Sequence, residues 1–193
     1  MSVIAMNSPF ANIYFALMQK LLTLTVGSPP APVIAYIDMD YGQLEMNPRP
    51  NVAFPCVLID FKGWKFDDLG NLIQKAGGMI CLKFATDPYE ETSSITPGTY
   101  STAALNILEL EWQIYKLLQG WAPPVAYDNA NPPNITQPAQ PMIRTNYETD
   151  NRRPGLKVRE LVFKNGFTDY SAQRPSQATP GTFTPTIDVV FHT

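Results

Sequence analysis

The residue types that most often carry catalysis are scarce in this chain of 193 residues. Its one histidine, His192, is the second residue from the C-terminal end and cannot be matched to a catalytic triad or a His-based metal site. Cys56 and Cys81 lie 25 positions apart without a CxxC spacing, and neither a G-x-G-x-x-G nor a Walker loop occurs. We therefore expect no enzymatic activity, no catalytic residue, no metal and no cofactor. Both cysteines lie inside apolar runs, which favours buried thiols, with a disulfide between neighbouring strands as the alternative.

Paired carboxylates are the remaining candidates for acid–base chemistry, because two carboxyl groups with different pKa values can act as general acid and general base. Three such groups occur: Asp38 with Asp40, Asp67 with Asp68, and Asp87 with Glu90 and Glu91. They lie in polar stretches or at strand positions expected to face solvent. We interpret them as solvated surface, and a hydrolase that uses the first two pairs is the weakest alternative.

One basic concentration is present in an otherwise slightly acidic chain, which has a net charge of −3. We predict that it forms a salt-bridged edge at a protein interface, because Glu148, Asp150 and Glu160 are interleaved with it. A nucleic-acid patch that contacts phosphates is the alternative. The predicted interface residues are Arg144, Tyr147, Arg152, Arg153, Lys157 and Arg159.

The length fits one domain, residues 1–193, with a core of its own. The 19 prolines are about twice the usual share and concentrate in a few segments. We predict extended Pro-rich loops at 123–141 and 170–185. No apolar stretch reaches the roughly 18 residues needed to cross a membrane, and the first 26 residues lack the basic region of a secretion signal. We expect synthesis and folding in a cytoplasm.

The longest periodic segment, residues 101–121, predicts a helix around which the other elements are arranged. Its apolar residues recur at helical spacing on one face. The stripe consists of Ile107, Leu110, Ile114, Leu117, Leu118 and Trp121, and a flank widens it with Ala104, Leu108, Trp112 and Tyr115. A helix this apolar needs a broad partner, and a sheet is the expected one.

The remaining elements predict that sheet. A first helix is predicted at 9–25, with Ser8 as N-cap, and strands are predicted at 52–62, 79–86, 156–169 and 186–192. Residues 62–78 predict a polar connection with one possible helical turn at 67–75, and 142–154 is a charged stretch with few core residues. The fold class is therefore α+β: a mostly antiparallel sheet with an N-terminal helix and a long central helix packed on one face.

The order of these elements resembles the tail terminator, or tail-completion, proteins of long-tailed bacteriophages and related prophages. The resemblance covers most of the chain from Pro9. It is carried by FPCVLIDF, GMICLKFA with its acidic tail DPYEETSS, ALNILELEWQIYKLLQGW, RTNYETDNRRPGLKVRELVFKNGF and TIDVVFHT.

The resemblance implies a small α+β subunit that closes into a ring, commonly six-fold, at the head-proximal end of the tail. Such a ring stops polymerisation of the tail tube and provides the head-joining face. Its partners would be other copies, the tube protein and a connector or neck protein, with no membrane and no specific nucleic-acid binding, although DNA would pass through the lumen. It would be assembled in the host cytoplasm and found in the virion.

Two other functions remain open. One is another connector or neck protein of the same particle. The other is a non-enzymatic glycan- or protein-binding module, in which aromatic side chains form a stacking surface. The candidates for that surface are Tyr36, Tyr41, Trp64 and Trp121.

Overall fold

The computed structural model describes residues 8–87, 100–127, 135–150, 155–170 and 172. These residues form the helices α1 (Pro9–Leu22) and α2 (Tyr100–Leu118). Their strands are β1 (Thr25–Val26), β2 (Ala31–Pro32), β3 (Tyr36–Met39), β4 (Cys56–Gly70), β5 (Ile73–Thr86), β6 (Pro124–Tyr127), β7 (Ile135–Pro138), β8 (Ile143–Asp150) and β9 (Lys157–Asp169). The predicted strand at 186–192 and most of the predicted loop at 170–185 lie outside the described residues.

Five strands form one sheet in the order β3-β4-β5-β9-β8. The pairs β4–β5, β5–β9 and β8–β9 are antiparallel, and the short β3 runs parallel to β4. Separate two-stranded antiparallel ribbons are formed by β1 with β2 and by β6 with β7. With two helices beside a mostly antiparallel sheet, the predicted α+β class is confirmed.

Side chains alternate across the sheet, and each face has its own apolar cluster. One cluster joins Ile59, Leu82 and Phe163 of the sheet to residues of both helices, such as Leu17 and Ile114. The other lies on the opposite face and is covered by the segment that precedes β4; it contains Leu44, Val52, Cys56, Leu58, Ala85, Leu156 and Val158. Because both faces are covered here, the first residues of β4 form an unbroken buried apolar run.

The first helix begins as predicted but ends earlier. Ser8 occupies the N-cap position, and Pro9 takes the first helical position, where its missing N–H costs nothing. The helix ends at Leu22 rather than at residue 25, because Thr25 and Val26 pair with Ala31–Pro32 as the β1–β2 ribbon.

The second helix buries only part of the stripe that the sequence predicts. It ends at Leu118, before Gly120, whose φ of 78° suits a helix end. Leu110, Ile114 and Leu118 are buried. The prediction is wrong for Leu108 and Trp112, which remain 45% and 49% exposed. No helix in the described part of the chain is long and apolar enough to cross a membrane.

The β4–β5 hairpin is longer than predicted. The polar connection expected at 62–78, with its possible helical turn, is instead the continuation of β4 to Gly70 and the return of β5 from Ile73. Asn71 and Leu72 turn the chain with positive φ values of 55° and 62°, which suit the twist of a two-residue hairpin. The usual signal for this turn is glycine at its second position, where this chain has Leu72, so the pattern hides the hairpin.

Two further segments contain strands that their composition conceals. The predicted loop at 123–141 contains the β6–β7 ribbon, which is fixed by a bond from the Ala139 N–H to the Pro123 carbonyl oxygen (2.7 Å). The charged stretch at 142–154 contains β8. The loop expected at 123–141 is therefore a paired ribbon in part, whereas the expectation of few core residues at 142–154 is confirmed, because only Asp150 of β8 is half-buried. Strands with few buried side chains can consist largely of polar residues and proline.

Candidate interaction surface

The carboxylates considered for chemistry do not converge on one site. Asp38 accepts a hydrogen bond from the Tyr36 hydroxyl (2.6 Å), and Asp40 is ion-paired with Lys83. Asp67 and Asp68 are exposed on the distal part of the hairpin. The described residues contain no group of three or more His, Cys, Asp or Glu residues placed to hold a metal ion. Glu90, Glu91 and His192 lie outside the described residues.

The four aromatic residues proposed as a stacking surface are also separated. Trp64 and Trp121 pack against the helix-covered cluster, whereas Tyr36 packs against the cluster on the opposite face of the sheet. Trp64 is enclosed by Phe10 at 4.9 Å and Phe167 at 5.4 Å between ring centroids. The structure therefore does not bring these four rings onto a single surface.

Both cysteines are buried and free, as the apolar runs around them predict. Cys56 faces Ala85 across the β4–β5 pair and Cys81 faces Asp60, so the two thiols are four residues apart along the hairpin. A disulfide between them is excluded by this register. Burial raises the pKa of each thiol from 9.0 to about 11.

The raised thiol pKa values predict a loss of stability at alkaline pH. The unfolded chain releases these protons near pH 9, whereas the folded protein holds them until about pH 11, so their stabilising contribution is complete below pH 9 and disappears by pH 11. Between pH 9 and 10 each thiol should lower the free energy of unfolding by about 1 kcal/mol. Urea unfolding at both pH values measures this change. The variants Cys56→Ala and Cys81→Ala should each remove about half of it, and an unchanged pH dependence in both variants would contradict the prediction.

The edge strand β8 carries part of the predicted interface set. Its partner is β9, and in the described part of the chain no strand pairs with its outer side. Arg144 and Tyr147 lie on β8, and Arg159 faces Thr149 from β9. The structure brings these three side chains together along one edge of α2. Lys157 is half-buried at the start of β9, and Arg152 and Arg153 lie outside the described residues.

A buried carboxylate, Glu111 of α2, joins these groups and was not singled out from the sequence. Its Oε1 lies 3.2 Å from Arg159 Nε, and its Oε2 accepts a hydrogen bond from the Tyr147 hydroxyl (2.6 Å). Only 6% of the Glu111 side chain and 18% of the Arg159 side chain are exposed. Burial, followed by the bond to Glu111, raises the pKa of Tyr147. Position 111 is on the buried side of the helix, four residues after Ile107, and a carboxylate there signals a buried cation beside it.

Arg144 extends the contact between strand and helix. Its guanidinium lies 3.8 Å from the centre of the Tyr115 ring, and its backbone N–H donates to Gln119 Oε1 (2.9 Å). Trp112 packs on Tyr115 with 5.3 Å between ring centroids, and Lys116 Nζ lies 5.9 Å from the Trp112 ring. Cations therefore lie at both ends of an aromatic pair.

Strand β8 borders an open groove of about 440 Å³, and its described lining residues are Arg144, Thr145, Asn146 and Tyr147. We call this groove together with Trp112, which packs on Tyr115 beside Arg144, the β8–α2 surface. Leu105, Leu108 and Trp112 are exposed and lie at helical spacing. The surface is held rigid by the contacts to Glu111 and Tyr115, so it can bind a partner with little ordering of its own side chains.

No protein-family model matches the chain, and no curated protein is significantly similar to it in sequence. Among solved structures, it is similar to a chain of the "Virion of native gene transfer agent (GTA) particle". The match has a TM-score of 0.50 and 9% sequence identity, and it covers 83% of this chain and 97% of that chain. At this identity the two chains share a fold, and the similarity extends over nearly the whole length of the virion chain.

Proposed function

We propose that this chain is a structural subunit of a phage-like virion and forms a ring at the head-proximal end of the tail. The observation that carries the proposal is the fold shared with a chain of a gene transfer agent virion over 97% of that chain. The order of elements, which resembles the tail terminator family, supports the same assignment. In this role the ring ends polymerisation of the tail tube and presents the surface that joins the head.

The arrangement of the sheet is compatible with a ring. A ring subunit needs two different surfaces that meet around a closed rotation. Within the described residues, β3 and β8 lie at opposite edges of one sheet. We propose six copies in the ring, with the tube protein on one side, a connector or neck protein on the other, and DNA passing through the lumen without specific binding. The subunit would be assembled in the host cytoplasm and would remain in the virion.

Native mass spectrometry of the purified chain, alone and mixed with the tail-tube protein of the same genome, tests this proposal. We expect a species of six times the 21.5 kDa chain mass, either alone or only in the presence of tube protein. Electron microscopy of tube protein polymerised with the chain should show shorter tubes, because each capped end stops growing.

The control is a monomeric protein of similar mass and net charge, which should leave the tube length unchanged. A chain that remains monomeric at every concentration and ignores the tube protein contradicts the proposal. A ring that binds a connector protein and has no effect on tubes would instead place the subunit in the neck.

A further inference from the structure

The β3 edge of the sheet carries a second group of exposed apolar side chains. Met39 is the last residue of β3, and Tyr41 and Met46 lie in the segment that follows it. Their exposed fractions are 50%, 57% and 44%. We call these three residues together with Asp38 the β3 surface. Methionine and tyrosine are enriched at protein interfaces, where they bury large areas.

The β3 surface is rigid because the segment after β3 is fixed to the sheet. Asp40, at its start, is paired with Lys83, and its Oδ1 accepts a bond from the Gly42 N–H (3.1 Å). Gln43 is buried, donates to the Met39 carbonyl oxygen (2.8 Å) and accepts from the Tyr41 N–H (3.0 Å). The exposed side chains therefore project from an ordered turn.

Strand direction allows the two edges to meet. Between β4 and β8 the strand direction reverses three times, because β4–β5, β5–β9 and β9–β8 are all antiparallel pairs. Strand β8 therefore runs antiparallel to β4. Because β3 is parallel to β4, β8 also runs antiparallel to β3. When one rotation places the β8 edge of one copy beside the β3 edge of the next, the two strands run antiparallel, which is the more stable pairing. Repeating the rotation uses each edge once in every copy, as a closed ring requires.

We infer that the β8–α2 surface of one copy docks on the β3 surface of the next copy, so that Trp112, Arg144 and Tyr147 contact Met39, Tyr41 and Met46. This inference rests on the proposed function, because it specifies the contact that builds the ring. The partner is a second copy of this chain, and the contact is heterologous, between unlike edges.

Site-directed cross-linking tests the contact. Asn146→Cys places a thiol in the groove, and Tyr41→Cys places one on the β3 surface. Leu69→Cys is the matched control, because Leu69 on the hairpin is 57% exposed, the same fraction as Tyr41. Cys56 and Cys81 are buried and stay in all variants.

With a short bismaleimide, a mixture of Asn146→Cys and Tyr41→Cys should give at least ten times more covalent dimer than a mixture of Asn146→Cys and Leu69→Cys. Neither Asn146→Cys nor Tyr41→Cys should cross-link alone. The double variant Asn146→Cys/Tyr41→Cys should give a ladder of products that ends at the ring size. Dimers from Asn146→Cys alone, or equal yields with Leu69→Cys, overturn the inference.

Native mass spectrometry of the same mixtures separates the two proposals. If a ring forms and Asn146→Cys does not cross-link to Tyr41→Cys, the docking inference is wrong and the ring proposal stands. If every mixture contains only monomer, with and without tube protein, both are wrong. A ring together with the selective cross-link supports both.

Discussion

Replacing Gly78 by alanine is expected to lower the free energy of unfolding by about 2 kcal/mol, because the new Cβ has no room. It would lie 2.6 Å from two ring atoms of Trp64, closer than Cβ atoms are found to approach other heavy atoms. The ring cannot easily move away, since it packs against Phe10 and Phe167 and its Nε1–H donates to the Met79 carbonyl oxygen (3.2 Å). For a chain of this size the loss corresponds to a melting temperature lower by about 4–8 °C. Urea and thermal unfolding measure both quantities.

Gly77→Ala is the matched control for this substitution. The residue is adjacent on the same strand, and an added Cβ there meets no heavy atom within 4 Å. Its effect should lie within about 0.5 kcal/mol of zero or be slightly stabilising, since alanine reduces the freedom of the unfolded chain. A second test uses the double variant Trp64→Leu/Gly78→Ala, in which the smaller side chain should relieve most of the Gly78→Ala penalty. Equal losses from Gly77→Ala and Gly78→Ala would show that the contact with Trp64 is not the cause.

The contact of Trp64 with Gly78 also explains why the sequence predicts some elements and hides others. The strand at 79–86 and the strand at 156–169 contain enough apolar residues in succession to be recognised from composition. The distal hairpin lacks such a run, and part of its packing comes from Trp64, which folds over a glycine and contacts Phe10 of α1. Such a contact between distant segments leaves no local periodic pattern in the sequence.

Partial burial explains the errors along α2 and β8. Helical periodicity identifies Leu110, Ile114 and Leu118 correctly, but it cannot tell whether Leu108 and Trp112 have a neighbour. Both remain about half exposed, and the ring contact of Trp112 is with Tyr115 of the same helix. The edge strand β8, in turn, has mostly exposed polar residues, so no alternation of apolar and polar residues marks it.

The candidate surface was predictable only in part. The basic concentration includes Arg144, Tyr147 and Arg159, and the structure places these three close together because they lie on paired neighbouring strands. Their role at an interface stays a prediction. Glu111 and Tyr115, which fix two of these side chains, come from a helix far away in the sequence. Pairing between helix and strand depends on packing in three dimensions, and the chain order alone does not specify it.

Replacing Glu111 by glutamine is expected to lower the free energy of unfolding by about 2–3 kcal/mol. The substitution keeps the shape of the side chain but leaves the Arg159 guanidinium largely buried without its counter-charge. Removing one partner of a fully buried ion pair costs about 3–5 kcal/mol. The expected value is lower because Arg159 keeps 18% of its side chain exposed to water. Urea unfolding at pH 7 measures the change.

Glu109→Gln provides the control for that measurement, because it makes the same change half a turn away on the exposed side of the helix. Glu109 is exposed and accepts a hydrogen bond from Gln113 Nε2 (3.1 Å), so its substitution should change stability by less than about 0.5 kcal/mol. Equal effects of the two substitutions would contradict a specific role for the Glu111 pair.

A double-mutant cycle extends this prediction to the candidate surface. Tyr147→Phe removes the hydroxyl that donates to Glu111, so its cost in free energy of unfolding should be smaller in the Glu111→Gln background than in the unchanged protein.

Because Glu111 also positions Arg159 and Tyr147, Glu111→Gln should weaken ring formation beyond its effect on folding. The test compares assembly at a temperature where more than nine-tenths of each variant is folded, with Gly78→Ala as a variant of similar stability loss away from β8. If both variants assemble equally well, Glu111 stabilises the fold alone and the β8 edge does not depend on it for docking.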